Sequence, residues 1–169
     1  MHAKTIEVLA GVALIVAGTA SAQFGRLGGR VRGLPMATPG SFDGRFQYCR
    51  VMYRHHPSGD GGGWSTDYPS AEVNLSIRLS ELTKTQLSFD AAGQPNHLIV
   101  RLTDDELFHC PFIMMQEVGA LFLDDEDVAR LRSYLLRGGF LWVDDFWGSR
   151  AWTIWEQQIR KVFGESTTN

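Results

Sequence analysis

The sequence predicts an α/β fold, in which parallel strands form one sheet between layers of helices. Segments with helical periodicity alternate with short apolar segments along most of the 169 residues, as expected for parallel strands joined by right-handed crossovers. The apolar segments at residues 111–116 and 140–143 lack polar alternation, which is typical of strands that are buried on both faces. The chain length is that of a single domain.

The first half of the predicted domain contains two strands and one helix. Apolar residues at 46–53 predict a first, largely buried strand, and residues 55–63 predict a loop. Pro69 suits the first turn of the following helix, and β-branched side chains predict a second strand at residues 97–102. An apolar stripe of the helix is expected to face the core: Leu75, Leu79 and Leu82, widened by Val73 and Ile77.

The second half contains two strands and two helices. Asp124 opens a helix whose first turn carries three more carboxylates, where the positive end of the helix dipole favours them. Gly138 suits the end of this helix. The strand at residues 140–143 is expected to be buried, and Ser149 can cap a last helix that ends at Phe163. Four residues are expected on the inner face of the first of these helices: Val128, Leu131, Leu135 and Leu136.

Residues 1–22 are expected to be a cleaved signal peptide, so the protein is expected to be periplasmic or otherwise exported. The apolar run at residues 8–18 is too short for a membrane span of about 20 residues, and the Ala-Ser-Ala sequence after it fits a signal-peptidase site. An uncleaved N-terminal anchor is the alternative and would be the one membrane attachment. Residues 23–44, rich in Gly, Arg and Pro, predict a flexible linker, and residues 45–169 predict the folded domain.

Composition excludes some classes of function. The net charge of −3 and the pI of about 5.9 provide no electrostatic footprint for nucleic acid. The histidines lack the spacing of metal ligands, so neither a metal nor a cofactor is expected. Cys49 and Cys110 are expected to be buried free thiols. A disulfide between them is the alternative, and it requires adjacent strands with Cα atoms within about 7 Å.

The glycine-rich loop before the first helix is a candidate ligand-binding site. Ligands of open α/β sheets bind beyond the carboxyl ends of the strands, and a glycine-rich turn at a helix N-terminus exposes backbone amides that bind anions. Neither the G-x-G-x-x-G nor the Walker spacing is present, so a nucleotide is not indicated; a mobile loop with an aromatic lid is the alternative. The candidate ligand-binding residues are Gly61, Gly62, Gly63, Trp64, Asp67 and Tyr68.

Three carboxylates that follow buried strands are further candidates for ligand binding. Asp144 and Asp145 follow one strand and Glu117 follows another, so all three are expected at the same crevice. Because neighbouring residues of a strand point to opposite faces, one aspartate is expected to enter the crevice while the other caps the next helix or orients the backbone. For Glu117, anchoring its own loop is the alternative.

Three segments carry a family resemblance: GGGWSTDYPSAEVNLSIRL, LTDDELFHCPFIMMQEVGALFLDDEDVARLRSYLLRGGFLWVDDFWG and WEQQIRKVF. Over residues 46–163 the chain resembles a bacterial family known as domain of unknown function 4159, and LRGGFLWVDD is the most specific block. The resemblance implies the class I glutamine amidotransferase-like superfamily, a three-layer flavodoxin-like parallel sheet, a location in the cell envelope and no established activity. It also implies further strands after the last helix, so the C-terminal side is expected to be incomplete.

In glutaminases of that superfamily, a nucleophilic Cys stands at a strand–turn–helix elbow and a His follows it along the chain. The comparable turn at residues 145–148 has no Cys, and the last histidine is His109. Because a thiolate is the nucleophile of that chemistry, glutaminase activity is not expected, and no catalytic residue is assigned.

The favoured function is therefore non-catalytic binding of a small polar ligand or of an envelope protein. One alternative is a carboxylate-dependent hydrolase, with or without a metal ion, that uses Glu117 with Asp144 or Asp145 as acid and base. A third reading is a protein–protein interaction module, which predicts an exposed aromatic patch around Trp64 and Trp147.

Overall fold

A computed structural model of the chain describes residues 33–164, so the predicted signal peptide lies outside the described residues. Six strands are present: β1 (Tyr48–Val51), β2 (Arg54–His55), β3 (His97–Val100), β4 (Phe112–Gln116), β5 (Leu121–Phe122) and β6 (Phe140–Asp144). Four of them form a parallel sheet in the order β3-β1-β4-β6, which confirms the predicted α/β class. The two short strands β2 and β5 pair with each other in antiparallel fashion. His55, which the sequence predicts to lie in a loop, is therefore part of a strand.

Three helices cover the sheet: α1 (Ser70–Leu82), α2 (Asp125–Leu136) and α3 (Gly148–Phe163). The main apolar core lies between α2, α3 and the sheet face that carries Cys49, Val51 and Ile113. The opposite face, with Tyr48 and Arg50, lies against α1. The sheet thus has helices on both faces, and successive residues of its central strands are therefore buried on opposite sides.

The ends of the helices follow only some of the predicted signals. The Asp124 carboxylate accepts the backbone amide of Asp127 at 2.9 Å and caps α2 as predicted. Pro69 precedes α1 instead of lying in its first turn, and Ser149 lies inside α3, whose N-cap position is Trp147. These two shifts are one or two residues long and leave the helices where the sequence predicts them.

The two cysteines form a disulfide, so the expectation of free thiols is wrong. Cys49 lies in β1 and Cys110 lies two residues before β4, and their Cα atoms are 6.2 Å apart. Because β1 and β4 are neighbours in the sheet, the two side chains meet in the core. The bond links two central strands at the end opposite to their carboxyl ends.

The buried face of α1 differs from the prediction. Its buried residues are Glu72 and Ser76, whereas Leu82 of the predicted apolar stripe is 80% exposed and Ile77 is exposed as well. The physical reason is Arg50, which is fully buried in β1 and forms an ion pair with Glu72. A buried guanidinium requires a carboxylate partner, and this requirement fixes the rotation of the helix.

The last strand is an edge strand, so the prediction that it is buried on both faces is wrong. Phe140 is 59% exposed and Trp142 is 44% exposed, while Leu141 and Val143 pack against the core. On the other side of the sheet, Met36 forms a bridge with β3. Leu136, which is predicted to face inward, is also exposed because it lies at the last turn of α2.

Candidate functional site

A cleft of about 380 Å³ lies at the carboxyl edge of the sheet. Its lining residues come from the carboxyl ends of β4 and β6 and from the segments that follow β1 and β6: Asp67, Gln116, Val143, Asp144, Asp145, Phe146 and Trp147. The chain connects β1 to β3 on one side of the sheet and then returns to β4 on the other side. Ligand sites of open α/β sheets form where the strand order reverses in this way. The cleft therefore lies where this type of fold favours binding.

Three acidic residues around the cleft have left-handed backbone. Among the described non-glycine residues, positive φ angles occur at Asp67 (56°), Glu117 (52°) and Asp145 (59°). This conformation costs an ordinary residue about 1–2 kcal/mol, and such strain is frequent at functional sites. All three residues follow strands or loops at the carboxyl edge, so the strain is concentrated at the candidate site.

Glu117 is held by several hydrogen bonds immediately after β4. The hydroxyl of Tyr53 donates to the carbonyl oxygens of Gln116 at 2.5 Å and of Glu117 at 2.7 Å. The amide of Glu117 donates to the carbonyl of Asp144 at 3.1 Å, and the amide of Gly62 donates to the Glu117 carboxylate. The glycine-rich loop, which the sequence predicts to bind an external anion, thus directs an amide at a carboxylate of the protein itself.

Two glycines of this loop are required by close packing. A side chain at Gly61 would collide with the Glu117 carboxylate, and one at Gly63 would collide with the imidazole of His55. Both glycines also have positive φ angles, of 104° and 82°. The loop therefore lies directly against Glu117 at Gly61 and against His55 at Gly63, because these two residues lack a side chain.

Asp144 and Asp145 both line the cleft, although neighbouring residues of a strand point to opposite faces. Asp144 is the last residue of β6, and the left-handed backbone of Asp145 turns its side chain toward the same space. The Asp145 carboxylate accepts the indole N–H of Trp147 at 3.2 Å, and the Trp147 side chain is 77% exposed. Helix α3 has no side-chain cap, so the expectation that one aspartate caps it is wrong.

Burial and the charges around the cleft change the pKa of Glu117. Burial raises the pKa of its carboxyl above the usual 4.5, and the nearby Asp145 carboxylate raises the pKa further. Asp60 and Asp67 act in the same direction, while the hydrogen bond from the Gly62 amide opposes them. A carboxyl group with a raised pKa can hold or release a proton at this position.

A buried polar cluster lies beneath the loop that carries Asp67. Arg50 forms an ion pair with Glu72, and it also donates to the carbonyl oxygens of Trp64 at 2.6 Å and Thr66 at 3.0 Å. The guanidinium therefore fixes the backbone just before Asp67. Arg50 is absent from the candidate residues of the sequence, and the available signal was a lone arginine inside the apolar strand YCRVMY.

Three of the nine predicted site residues line the cleft, namely Asp67, Asp144 and Asp145, and the other six do not: Gly61, Gly62, Gly63, Trp64, Tyr68 and Glu117. Trp64 is half-buried and packs against the core, and the Tyr68 hydroxyl is hydrogen-bonded to the His97 imidazole at 2.9 Å. Burial lowers the pKa of His97 below its usual 6.5. Gln116, in contrast, lines the cleft although the sequence assigned it no role. Its position at the last residue of β4 was the available signal.

Residues 33–164 contain neither a metal-binding cluster nor a helix that could cross a membrane. No cluster of three or more histidine, cysteine or acidic side chains in this range is arranged to hold a metal ion. In the same range, no helix has both the length and the apolar character needed to cross a membrane.

Comparison with known proteins identifies the family of the chain. Residues 48–169 match the model of a family described as a domain of unknown function (DUF4159). Neither a curated protein nor a solved structure matches the chain. Because the matched segment covers well over half of the sequence, the chain belongs to the DUF4159 family.

Proposed function

We propose that this domain binds a small polar ligand in the acidic cleft at the carboxyl edge of its sheet. The observation that carries the proposal is that Asp67, Asp144 and Asp145, from two separate segments, line one cleft of about 380 Å³. Glu117 adds a fourth carboxylate that is electrostatically coupled to Asp145. Gly61, Gly62, Gly63, Trp64 and Tyr68 form the loop that supports this site. An envelope protein that inserts a polar segment is the second kind of partner that the cleft fits.

We also infer a flavodoxin-like fold of the class I glutamine amidotransferase-like type. When the four sheet strands are numbered as they occur in the chain, their order is 2-1-3-4, which agrees with the flavodoxin-like order 2-1-3-4-5. The disulfide leaves neither Cys49 nor Cys110 as a thiolate, which argues against glutaminase chemistry. The domain is thus a binding member of that fold type.

We infer that the protein is exported, with residues 1–22 as signal peptide, 23–44 as linker and 45–169 as the domain. The end of the predicted linker belongs to the folded domain, because Met36 bridges β3 and Ala37 and Phe42 pack against the core. The Cys49–Cys110 disulfide supports export, because disulfides persist in oxidising compartments such as the periplasm. N-terminal sequencing of the protein from a periplasmic extract tests this inference. A mature chain that begins at Gln23 is expected, and a full-length cytoplasmic chain would contradict it.

Thermal shift measurements with a panel of sugars, short peptides, amines and divalent ions test the proposed binding. At least one compound is expected to raise the melting temperature of the wild type and to lose this effect in Asp145→Asn. Glu126→Gln, which removes an exposed carboxylate outside the cleft, is the matched control and should respond like the wild type. If no compound stabilises the wild type, the binding function is refuted.

A carboxylate-dependent hydrolase is the second candidate function, and the raised pKa of Glu117 favours it. In this reading Glu117 is the general acid and Asp145 is the general base. Hydrolysis of chromogenic glycosides and esters tests it. Activity that disappears in Glu117→Gln while binding persists would establish the hydrolase, and no turnover in the wild type would exclude it for those substrates.

The reading as a protein–protein interaction module receives less support. It predicts an exposed aromatic patch around Trp64 and Trp147, but only Trp147 is strongly exposed. The surface beside Trp147 is lined by aspartates. A polar cleft, rather than an apolar patch, occupies this edge of the sheet.

A further inference from the structure

We propose that the ligand is a small organic ammonium ion that carries an apolar group. This inference rests on the binding function proposed above and specifies the ligand class of the same cleft. Its ammonium group would bind among the aspartates, and its apolar group would occupy a neighbouring groove under helix α1.

The cleft has a negative charge that no basic side chain in its lining compensates. Three of the seven lining residues are aspartates and none is basic, and two of these aspartates, Asp67 and Asp145, also interact electrostatically with the Glu117 carboxylate. Three arginines around the cleft have other partners. Arg50 binds Glu72 and backbone carbonyls, and Arg150 donates to the carbonyl of Ser58 at 2.9 Å. Arg78, which lines the neighbouring groove, forms an ion pair with Glu81. A cleft lined by one sign of charge attracts ligands of the opposite sign.

Gln116 provides an independent indication of a hydrogen-bond donor in the ligand. Its side chain lines the cleft and is only 5% exposed, yet its amide oxygen has no hydrogen-bond partner in the structure. Buried acceptors without a partner are rare in folded proteins, because leaving one unpaired costs free energy. An ammonium group donates up to three hydrogen bonds, so it can satisfy Gln116 and the aspartates together.

An apolar groove of about 270 Å³ adjoins the acidic cleft, between α1 and the sheet. Its apolar surface comes mainly from Tyr48, Leu75, Met114 and Trp142. The groove and the cleft share two lining residues, Gln116 and Asp144. A ligand whose ammonium group contacts these two residues can therefore place an attached apolar group in the groove, where burial favours binding.

The charge of the cleft does not by itself require an organic cation, because divalent metals also bind carboxylates. Within residues 33–164, however, no group of three or more potential metal ligands has the arrangement that a metal requires. The apolar groove beside the cleft would also make no contact with a bare metal ion bound among the aspartates. These two observations favour an organic ammonium ion over a metal.

Calorimetric titration of the full chain with four probes tests the proposal. The probes are 2-phenylethylamine, which has both groups; 2-phenylethanol, which lacks the charge; ethylamine, which lacks the ring; and calcium chloride. We expect 2-phenylethylamine to bind at least about tenfold more tightly than the alcohol, since a charge-assisted hydrogen bond is lost. Ethylamine should also bind at least about tenfold more weakly, since the ring is no longer buried.

Three variants assign these effects to the two halves of the site. Asp145→Asn is expected to weaken 2-phenylethylamine about tenfold while leaving 2-phenylethanol unchanged. Trp142→Ala is expected to weaken 2-phenylethylamine but not ethylamine. Glu126→Gln, whose side chain lies outside both cavities, should bind all probes like the wild type. Circular dichroism and thermal melting confirm that each variant is folded.

Each of the other outcomes overturns a stated part of the proposal. Equal affinity for the amine and the alcohol would refute the ammonium group, and equal affinity for the two amines would refute the groove. Calcium that binds in an Asp145-dependent way and displaces the amine would make the cleft a metal site. If no amine binds while a sugar or peptide does, the ligand class is wrong and the binding function stands. If nothing binds, both fail.

Discussion

The ion pair between Arg50 and Glu72 connects the core to the cleft, and its removal has a calculable cost. Both side chains are fully buried, and Arg50 also donates to the carbonyls of Trp64 and Thr66. We expect Glu72→Leu to lower the free energy of unfolding by about 3–5 kcal/mol, because it leaves a buried guanidinium without a counter-charge. Arg50→Met should cost a similar amount, because it leaves Glu72 unpaired.

The double variant Arg50→Met with Glu72→Leu separates this charge effect from simple packing. It removes both charges and leaves two carbonyl oxygens without their donor, at about 1 kcal/mol each. We therefore expect the double variant to lose about 2 kcal/mol, which is less than either single variant loses. Its ligand affinity should still fall, because the backbone before Asp67 is no longer fixed.

Urea unfolding followed by tryptophan fluorescence measures all four proteins in one cycle. Arg78→Met is the control, because Arg78 forms an exposed ion pair with Glu81 on α1 and should cost less than about 1 kcal/mol. If the double variant loses the sum of the two single losses, Arg50 and Glu72 are not coupled. The argument that this pair fixes α1 and the loop would then be wrong.

Three further predictions concern stability. Replacing both Cys49 and Cys110 with serine should lower the free energy of unfolding by up to about 4 kcal/mol, because the disulfide closes a loop of 61 residues and restricts the unfolded chain. Urea unfolding with and without a reductant measures this loss. The reductant should destabilise the wild type and leave the variant unchanged. Gly63→Ala should lower the melting temperature more than Gly93→Ala. Both glycines have positive φ angles, but only Gly63 lacks room for a side chain. Equal decreases in melting temperature would mean that backbone conformation alone determines the loss. Burial lowers the pKa of His97 below 6.5, so the unfolded chain binds the proton more readily, and stability should fall as the pH decreases through and below 6.5. His97→Gln should reduce this slope in melts between pH 5 and pH 8, and an unchanged slope would assign it to other groups.

The fold class was predictable because it depends on local patterns. The apolar strand segments and the capping carboxylates around Asp124 act over a few residues, and both are found where the sequence indicates them. A cleft at the carboxyl edge of the sheet was predictable as well, because its position follows from strand direction.

Features that depend on distant residues were not predictable. The inner face of α1 is centred on Glu72, which pairs with Arg50, 22 residues earlier in the chain. The apolar periodicity therefore predicted an inward position correctly for Leu75, which lines the groove under α1, but not for Ile77 and Leu82, which are exposed. The exposure of Trp142 depends on the position of β6 at the edge of the sheet. The disulfide required β1 and β4 to be neighbours, which sequence patterns do not reveal.

The sequence also did not predict that both Asp144 and Asp145 line the cleft. The alternation rule of strands assigns them to opposite sides, but that rule ends where the strand ends. One residue with left-handed backbone, Asp145, is enough to reverse it. Such a conformation is uncommon among non-glycine residues, although aspartate adopts it more readily than most of them.

At Asp67, Glu117 and Asp145 the left-handed backbone lowers the stability of the fold, while the carboxylates provide the negative charge for ligand binding. Asparagine adopts this conformation more readily than most residues, but it would remove the negative charge on which the cleft depends. Selection for a more robust domain would therefore erode the ability to recognise a cation. A laboratory evolution experiment that rewards heat resistance alone should discard these carboxylates first.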